Sequence, residues 1–188
     1  RGGAGGVGSA PRHGRRPVDL LLVAGGAWSG ELLSACGIEL PIAPVRGQIL
    51  ALQTAPGRVR HVVLAEDHYL VPRRDGLVLA GSTVEHVGFD KTPPPAGASA
   101  LRAAAARLVP ELADAPQVAH WAGLRPGSAD GVPFIGRHPQ LENVVVSAGH
   151  FRSGLTLAPA SAALACALLT GRPAPFDPTP YRLQRAAG

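Results

Sequence analysis

The amino-acid sequence predicts a mixed α/β fold with two interleaved lobes. Continuous apolar runs typical of buried parallel strands occur towards both ends of the chain, at 18–24 and 143–148. The middle of the chain instead carries short β-type runs separated by turn residues, which favours an antiparallel sheet. The two ends together supply too few strands for a lobe of their own, so we expect further sequence to complete it.

Composition narrows the class of protein. The 188 residues are 46% hydrophobic and 16% charged, which excludes disorder as a description of the whole chain. The two cysteines, Cys36 and Cys166, exclude a disulfide scaffold, and we expect both to pack in the core. The sequence shows no secretory signal, so a cytoplasmic location is the default. It contains no methionine, which indicates a fragment or a processed piece.

The formal net charge of +5 raises the alternative of a basic nucleic-acid-binding module. Its contacts would be the arginines near the start of the chain, Arg1, Arg12, Arg15 and Arg16. Aromatic residues make up only 4%, however, and the arginines are spread along the chain rather than forming a stripe. We therefore expect no nucleic-acid partner; binding that weakens steeply with salt would reveal one.

The first elements follow from glycine positions and apolar runs. Residues 1–17 are rich in Gly and Arg and predict a loop or linker. The strand over 18–24 ends at Gly25-Gly26. A short helix is expected over 28–35, because Gly37 follows directly as a helix terminator.

Four runs in the middle of the chain predict one antiparallel sheet. Asp75-Gly76 separates the last two runs and is a strong hairpin signal. If these two residues form the whole loop, Tyr69 and Val71 share one face with Val78 and Ala80. The four runs are 48–53, 59–64, 69–73 and 77–82.

Two helices, a further strand and a tail complete the prediction. An Ala-rich helix is expected over 98–108 and a strand over 118–124. The second apolar strand leads into a helix over 156–169, which must begin close to Pro159 because proline is tolerated only in a first turn. Residues 172–188 contain four prolines and no periodicity, which indicates an extended tail.

Three sequence patterns typical of functional sites do not predict a site in this chain. Residues 3–8 match the G-x-G-x-x-G pattern, but no strand precedes them, and Pro11 and Gly14 oppose the helix that a dinucleotide site requires. The seven histidines form no H-x-x-x-H pair, so we predict no metal site. The G-x-S-x-G nucleophile pattern does not occur.

Three segments are better candidates for chemistry. Arg125 ends an apolar strand and requires an anionic partner, either an internal acid such as Asp130 or a ligand carboxylate. Residues 147–156 predict a strand, a turn and a helix start whose amides suit an anion or a ring carbonyl, unless a serine or threonine of the turn caps them. The small residues at 24–29 allow either close ligand approach or simple tight packing.

Six runs of sequence, taken in order, resemble the carboxyl-terminal half of the glycine oxidases of thiamine biosynthesis. These enzymes belong to the D-amino-acid-oxidase-like group of FAD-dependent amine oxidoreductases. The matching runs are AGGAWSGELL (24–33), PVRGQIL (44–50), YLVPRRDG (69–76), GSTVEHVGFDK (81–91), WAGLRPGSADGVPFIGRHP (121–139) and GHFRSGLTLAP (149–159).

The resemblance implies a fold. Part of a FAD-binding Rossmann-like domain, over 18–40 and 137–171, would interleave with an antiparallel-sheet substrate domain over 41–136. The amino-terminal dinucleotide-binding unit of the family would be missing. We therefore expect the 188-residue chain alone neither to retain FAD nor to oxidise glycine.

The resemblance also implies roles for individual residues. Arg125 would pair with the substrate carboxylate, Tyr69 would hydrogen-bond to the same group, and Arg152 would line the site. The run Arg46-Gly47-Gln48 would enter the site from the start of a strand. The implied FAD contacts are His150, Phe151, Arg152, Ser153, Gly154, Leu155, Thr156, Gly26 and Ala27.

The implied reaction converts glycine through an imine to glyoxylate and ammonia, with dioxygen reduced to hydrogen peroxide. The flavin would carry the chemistry, so no catalytic side chain is expected. Within the same class the alternative is a D-amino-acid or sarcosine-type oxidase or dehydrogenase, for which the pocket near Tyr69 and Val84 would decide the substrate. From other classes, the nucleic-acid module and an inactive fragment remain alternatives. The oligomeric state stays open.

Overall fold

The computed structural model describes residues 17–65 and 67–185. Almost all of the loop predicted over 1–17 lies outside the described residues. The glycine-rich run at 3–8 and the arginines considered as nucleic-acid contacts lie outside them as well. Of the described residues, 17–44 and 125–185 belong to one compact unit, and Val45–Leu124 form a second unit.

The described part of the chain contains strands and helices as follows. The strands are β1 (Leu21–Val23), β2 (Ile42–Gln53), β3 (Val63–Ala65), β4 (His68–Pro72), β5 (Leu77–Gly81), β6 (Gln117–Ser128), β7 (Phe134–Arg137) and β8 (Val144–Ala148). The helices are α1 (Ser29–Ser34), α2 (Pro95–Leu108) and α3 (Gly154–Thr170), with short 3-10 helices at Gly26–Trp28, Pro110–Leu112 and Thr179–Tyr181.

The first unit is built on a three-stranded sheet in the order β1-β8-β7. The strands β1 and β8 are parallel, with Leu21 opposite Val144 and Val23 opposite Val146, which confirms that the two apolar runs are parallel strands. Val144, Val145 and Val146 are fully buried, as expected for a strand covered on both faces. Helix α3 packs against β7 and β8.

The second unit contains a five-stranded sheet in the order β3-β4-β5-β2-β6. The pairs β3–β4, β4–β5 and β5–β2 are antiparallel, which confirms the predicted antiparallel sheet. The strands β2 and β6 are each 12 residues long, and β2 begins earlier and β6 ends later than predicted. One face of the sheet packs against α2 through a core that includes Leu50, Leu70, Val78 and Leu101.

The hairpin between β4 and β5 departs from the predicted register. Its loop has three residues rather than two, because the Arg73 amide donates to the Leu77 carbonyl and Gly76 takes a left-handed φ of +86°. As a result Tyr69 lies opposite Gly81, and its side chain is on the other face of the sheet from that of Val78. The predicted sharing of faces was wrong, because one extra loop residue moves every side chain of a strand to the other face.

Helix α3 also differs from the prediction. It begins at Gly154, two residues earlier than predicted, so Pro159 lies in its second turn. Proline has no N–H to donate to the carbonyl of Leu155. Leu155, the residue that carries this carbonyl, is 92% exposed. The prediction that both cysteines are buried was wrong, since Cys166 is exposed on α3 and Cys36 is half-buried.

Most of the described part of the tail predicted over 172–188 has no helix or strand, but it contains two features that were not predicted. The chain forms a 3-10 helix at Thr179–Tyr181, and Leu183 is buried in the core of the first unit. Gly136 leaves room for Leu183, since a Cβ atom there would lie 3.3 Å from the Leu183 Cγ. Proline-rich sequence without periodicity gives no signal of such long-range packing.

Across residues 17–65 and 67–185, no helix is both long enough and apolar enough to cross a bilayer.

The close approach of α2 to β2 at Gly97 generates the first prediction. A Cβ atom at Gly97 would overlap the side-chain amide of Gln48, which is 2% exposed. Gly97 is the third residue of α2, and an alanine in place of a helical glycine normally stabilises by up to about 0.5–1 kcal/mol. We expect Gly97→Ala instead to lower the free energy of unfolding by about 1–3 kcal/mol, because a packed polar group must move.

Urea unfolding measures this effect. The same Gly97→Ala substitution in a Gln48→Ala background is the matched control, and there it should stabilise. A stabilising effect of Gly97→Ala with Gln48 present would contradict the proposed overlap.

Candidate functional site

Two turns meet at one edge of the sheet in the first unit. Because β1 and β8 are parallel and paired in register, their carboxyl ends lie side by side. The turn at 24–28 follows β1, and the turn at 149–153 follows β8. Ligands of open parallel sheets bind at this edge. Both segments that the sequence indicated as ligand-contacting therefore lie at one place.

The turn at 149–153 has a constrained backbone. Gly149 has a φ of +76° and Phe151 a φ of +46°, which is unfavourable for a residue with a side chain. The Phe151 amide donates to the Pro126 carbonyl at 2.9 Å, and the Ser153 amide donates to the His150 carbonyl at 3.0 Å. The first of these bonds ties the turn to the segment that carries Arg125.

The start of α3 presents backbone donors to solvent. Ser153 occupies the N-cap position but makes no capping hydrogen bond through its side chain. Arg152, Ser153 and Thr156 are exposed, and Leu155 is 92% exposed. An apolar side chain beside uncapped amides suits a planar ligand with an apolar body and carbonyl oxygens on its rim.

The turn at 24–28 is more closed. Gly26 has a φ of +58°, and no atom lies within 4 Å of the position that a Cβ would take. Ala27 is 2% exposed, so its side chain faces the protein interior. The hydroxyl of Ser29, one residue beyond the turn, is buried and has no hydrogen-bond partner. The backbone of Gly26 is thus the open part of this turn.

His150 pairs with a residue that the sequence did not indicate. Its Nε2 lies 2.9 Å from the Ser161 hydroxyl oxygen, and burial lowers the pKa of His150. Both residues line a cavity of about 650 Å³ that runs along α3. Ser161 was missed because no sequence pattern shows which face of α3 turns towards His150.

Arg125 lies on β6 and is half-buried. Asp130, the internal acid considered as its partner, accepts hydrogen bonds on both carboxylate oxygens from Arg185, at 2.8 and 2.9 Å. These bonds from Arg185 lower the pKa of Asp130 to about 2. No sequence pattern pointed to Arg185, which lies in the segment predicted as an extended tail.

Tyr69 belongs to the second unit and lies on the sheet face opposite to α2. It is half-buried, and its ring lies over Gly81 on the neighbouring strand. A Cβ atom at Gly81 would lie 2.6 Å from the Tyr69 hydroxyl oxygen and 2.7 Å from Cδ1 of Ile49. The glycine at this position therefore creates the space in which the phenol lies.

Arg46 is the most heavily bonded arginine of the second unit. It is 5% exposed, and its Nε and Nη2 donate to one carboxylate oxygen of Glu85 at 2.9 and 2.5 Å. Its Nη1 donates to Asp90 at 2.9 Å and to the Thr92 carbonyl at 2.8 Å. Arg46 thus serves as the centre of an internal ion-pair network.

Gln48 continues this network. Its Nε2 donates to Glu85 at 2.6 Å, and its Oε1 lies 2.9 Å from the His120 Nε2. Strand alternation explains why, since Arg46 and Gln48 share the α2-facing side of β2 with Leu50. The expectation that the run 46–48 enters a ligand site therefore fails for these two side chains.

Opposing effects act on the Glu85 carboxylate. Burial alone would raise its pKa, but hydrogen bonds from Thr83, Gln48 and Arg46 together lower it below its ordinary value. Among the residues that the structure describes, no group of three or more His, Cys, Asp or Glu side chains could hold a metal ion.

A family model described as FAD dependent oxidoreductase matches residues 1–168. This chain is a member of that family. It is 51% identical over 175 residues to the glycine oxidase of Pseudomonas aeruginosa, an alignment that covers 93% of this chain and 48% of that relative. The resemblance to glycine oxidases stated from the sequence is thus confirmed.

Solved structures agree with this assignment. The glycine oxidase of Geobacillus kaustophilus is 33% identical, with a TM-score of 0.86 over 90% of this chain and 46% of that one. The iminodiacetate oxidase of Chelativorans sp. BNC1 is 31% identical, with a TM-score of 0.84 over 90% of this chain and 47% of that one. The predicted fold class is confirmed, and the chain spans about half the length of the relatives it matches.

The lowered carboxylate pKa values generate a prediction of acid sensitivity. The folded protein holds Glu85, Asp90 and Asp130 at lower pKa values than the unfolded chain does. The unfolded chain therefore binds more protons in acid, and stability present at neutral pH is lost as the pH falls from about 5 towards 2. Urea unfolding at a series of pH values measures this loss.

Glu85→Gln should lower stability at neutral pH and flatten its dependence on pH. Glu111→Gln is the control, because it removes an exposed ion pair with Arg58, which contributes little. An unchanged pH slope in Glu85→Gln would contradict the role given to the buried network.

Proposed function

We propose that this chain is the substrate-binding half of an oxidase that converts glycine to an imine, which hydrolyses to glyoxylate and ammonia, while dioxygen is reduced to hydrogen peroxide. The observation that carries the proposal is 51% identity to a glycine oxidase across 93% of the chain. We further propose that the imine serves thiamine thiazole synthesis.

We propose that Arg125 and Tyr69 recognise the substrate carboxylate. Glycine has no side chain beyond hydrogen, so its charged groups must provide almost all of its orientation. A guanidinium that pairs with the carboxylate through two parallel hydrogen bonds, together with one phenol donor, fixes that group in both position and angle. The half-buried state of both residues supports this role, because partial burial strengthens a charged hydrogen bond.

We propose that the turn and helix start at 150–156 hold the flavin, with Gly26 and Ala27 beside it. The exposed Leu155 offers an apolar surface to the ring, and the amides at the start of α3 offer donors to its carbonyl oxygens. Arg152 adds positive charge to the same side, as does the helix dipole. When bound there, a flavin would supply an acceptor for the hydride of the substrate α-carbon.

A second substrate class has specific support. The similarity to an iminodiacetate oxidase favours secondary amines that carry a carboxymethyl group. Sarcosine and iminodiacetate carry the same carboxymethyl group on nitrogen as glycine does, so Arg125 would serve for them as well as for glycine. Hydrogen peroxide release from glycine, sarcosine, iminodiacetate and D-alanine, compared by kcat/KM, distinguishes these possibilities.

The role of Arg125 is tested in the extended protein, defined as this chain preceded by the amino-terminal portion that its glycine oxidase relatives possess. We expect Arg125→Lys to lower kcat/KM for glycine by about 10²-fold, mainly through KM. The reason is that one ammonium cannot reproduce the two parallel bonds of the guanidinium. Peroxide release and the flavin absorbance spectrum provide the measurements.

Arg58→Lys is the matched control and should leave both kinetic constants unchanged, because Arg58 forms an exposed ion pair with Glu111. Oxidation of another amine in preference to glycine would refute the proposal that glycine is the substrate. A parent protein that binds no FAD and releases no peroxide with any of the four amines would refute the oxidase assignment.

The space over Gly81 provides a separate prediction for Tyr69. Gly81→Ala should displace the phenol and raise KM for glycine by about tenfold, the loss expected for one hydrogen bond to a charged group. Gly123→Ala is the control within the same sheet, because no atom lies within 4 Å of its new Cβ. Equal KM values for the two variants would argue against a carboxylate contact by Tyr69.

A further inference from the structure

The described tail of the chain folds back onto the first unit and ends in a densely bonded arginine. Leu183 is buried in the core and holds the tail in place, and the Arg185 side chain is 12% exposed. The guanidinium donates to both carboxylate oxygens of Asp130, at 2.8 and 2.9 Å. It also donates to the carbonyls of Val132 at 2.6 Å and Pro133 at 3.1 Å.

The same guanidinium stacks on an aromatic ring. Its Cζ lies 3.6 Å from the centroid of Phe134, a distance at which a cation and a ring face attract. One side chain thus bonds to nearly every residue of the turn at 130–134. Asp130 adds a bond of its own, accepting from the Val132 amide at 3.0 Å. The turn is therefore fixed by the tail rather than by regular secondary structure.

The turn at 130–134 contacts or adjoins the two segments proposed to bind substrate and flavin, which are the end of β6 and the turn at 149–153. On its amino-terminal side it continues directly from β6, which carries Arg125. On its other side Phe134 packs so close to Gly149 that a Cβ there would lie 3.1 Å from the ring. Gly149 begins the turn whose Phe151 amide bonds to Pro126. Displacement of Phe134 would therefore move both segments.

We propose that Arg185 is a positioning residue that fixes Arg125 and the turn at 149–153 through its clamp on residues 130–134, and so sets the affinity of the enzyme for the substrate carboxylate. This inference rests on the function proposed for Arg125. Arg185 touches neither substrate nor flavin in this scheme, and it acts only through the residues that it holds.

The kinetic test compares Arg185→Ala with Arg58→Ala in the extended protein. Arg58 is the matched control, since it also forms a two-bond ion pair with a carboxylate, but in the second unit. We expect Arg185→Ala to raise KM for glycine by about tenfold and to change kcat by less than about threefold. Arg58→Ala should change neither. A lower melting temperature with unchanged KM would reduce Arg185 to a structural role and overturn the proposal.

Conservative variants sharpen the result. Arg185→Lys keeps the charge but loses the fork and the flat stacking surface, so we expect it to recover only part of the lost affinity. Asp130→Asn keeps the shape of its side chain and weakens the clamp. If Arg185→Ala fails to fold, the KM of Asp130→Asn decides, and a KM equal to that of the parent would overturn the proposal.

Amide hydrogen exchange provides a readout that does not depend on activity. In Arg185→Ala of the extended protein, peptides covering 125–128 and 149–153 should exchange faster than in the parent, whereas a peptide covering 46–50 should not change. Unchanged exchange in the first two peptides would overturn the positioning role. If the parent oxidises no glycine, the proposed function fails, while the exchange result still decides whether Arg185 holds these segments.

Discussion

The parallel pairing of β1 with β8 is the interaction on which the candidate site depends. It joins Leu21 to Val144, so two segments that are remote in sequence become neighbours along their whole length. Parallel pairing places both carboxyl ends at one edge, and the turns at 24–28 and 149–153 follow from that edge without further adjustment. Antiparallel pairing of the same runs would have placed the two turns at opposite ends of the strands.

Two arginines in similar sequence settings show how burial decides the role of a charge. Arg46 is 5% exposed, and two carboxylates and backbone carbonyls saturate its guanidinium. A charge removed from water to this degree must be paired internally, since its desolvation would otherwise cost several kcal/mol. Arg125 is half-buried, so it is less completely removed from water than Arg46 is.

The sequence predicted those parts of the fold that depend on local pattern. The apolar runs gave both parallel strands, and the turn residues gave the antiparallel sheet. The register of the β4–β5 hairpin failed because a loop of three residues contains the same Asp75-Gly76 pair as a loop of two. The docking of the tail was not predicted. It depends on the contact of Leu183 with Gly136, and hydrophobic periodicity gives no information about such a contact.

The residues of the candidate site also divide into those that the sequence indicated and those that it did not. Arg125, Tyr69 and the run at 149–156 were found through long motifs that resemble a known family. Ser161 and Arg185 were missed, because each makes its contact through tertiary packing and each lies outside the matching motifs. The assignment of 46–48 to the ligand site failed because a motif records which residues occur together. It does not record that β2 turns Arg46 towards its own core.

The glycines explain much of this long-range packing. Gly81 makes room for Tyr69, Gly97 for Gln48, Gly136 for Leu183 and Gly149 for Phe134. In each case the side chain that fills the space belongs to a different element, so the glycine acts as half of a contact rather than as a flexible joint. At these four positions, elements approach closely and side chains lie in the spaces that the missing Cβ atoms leave.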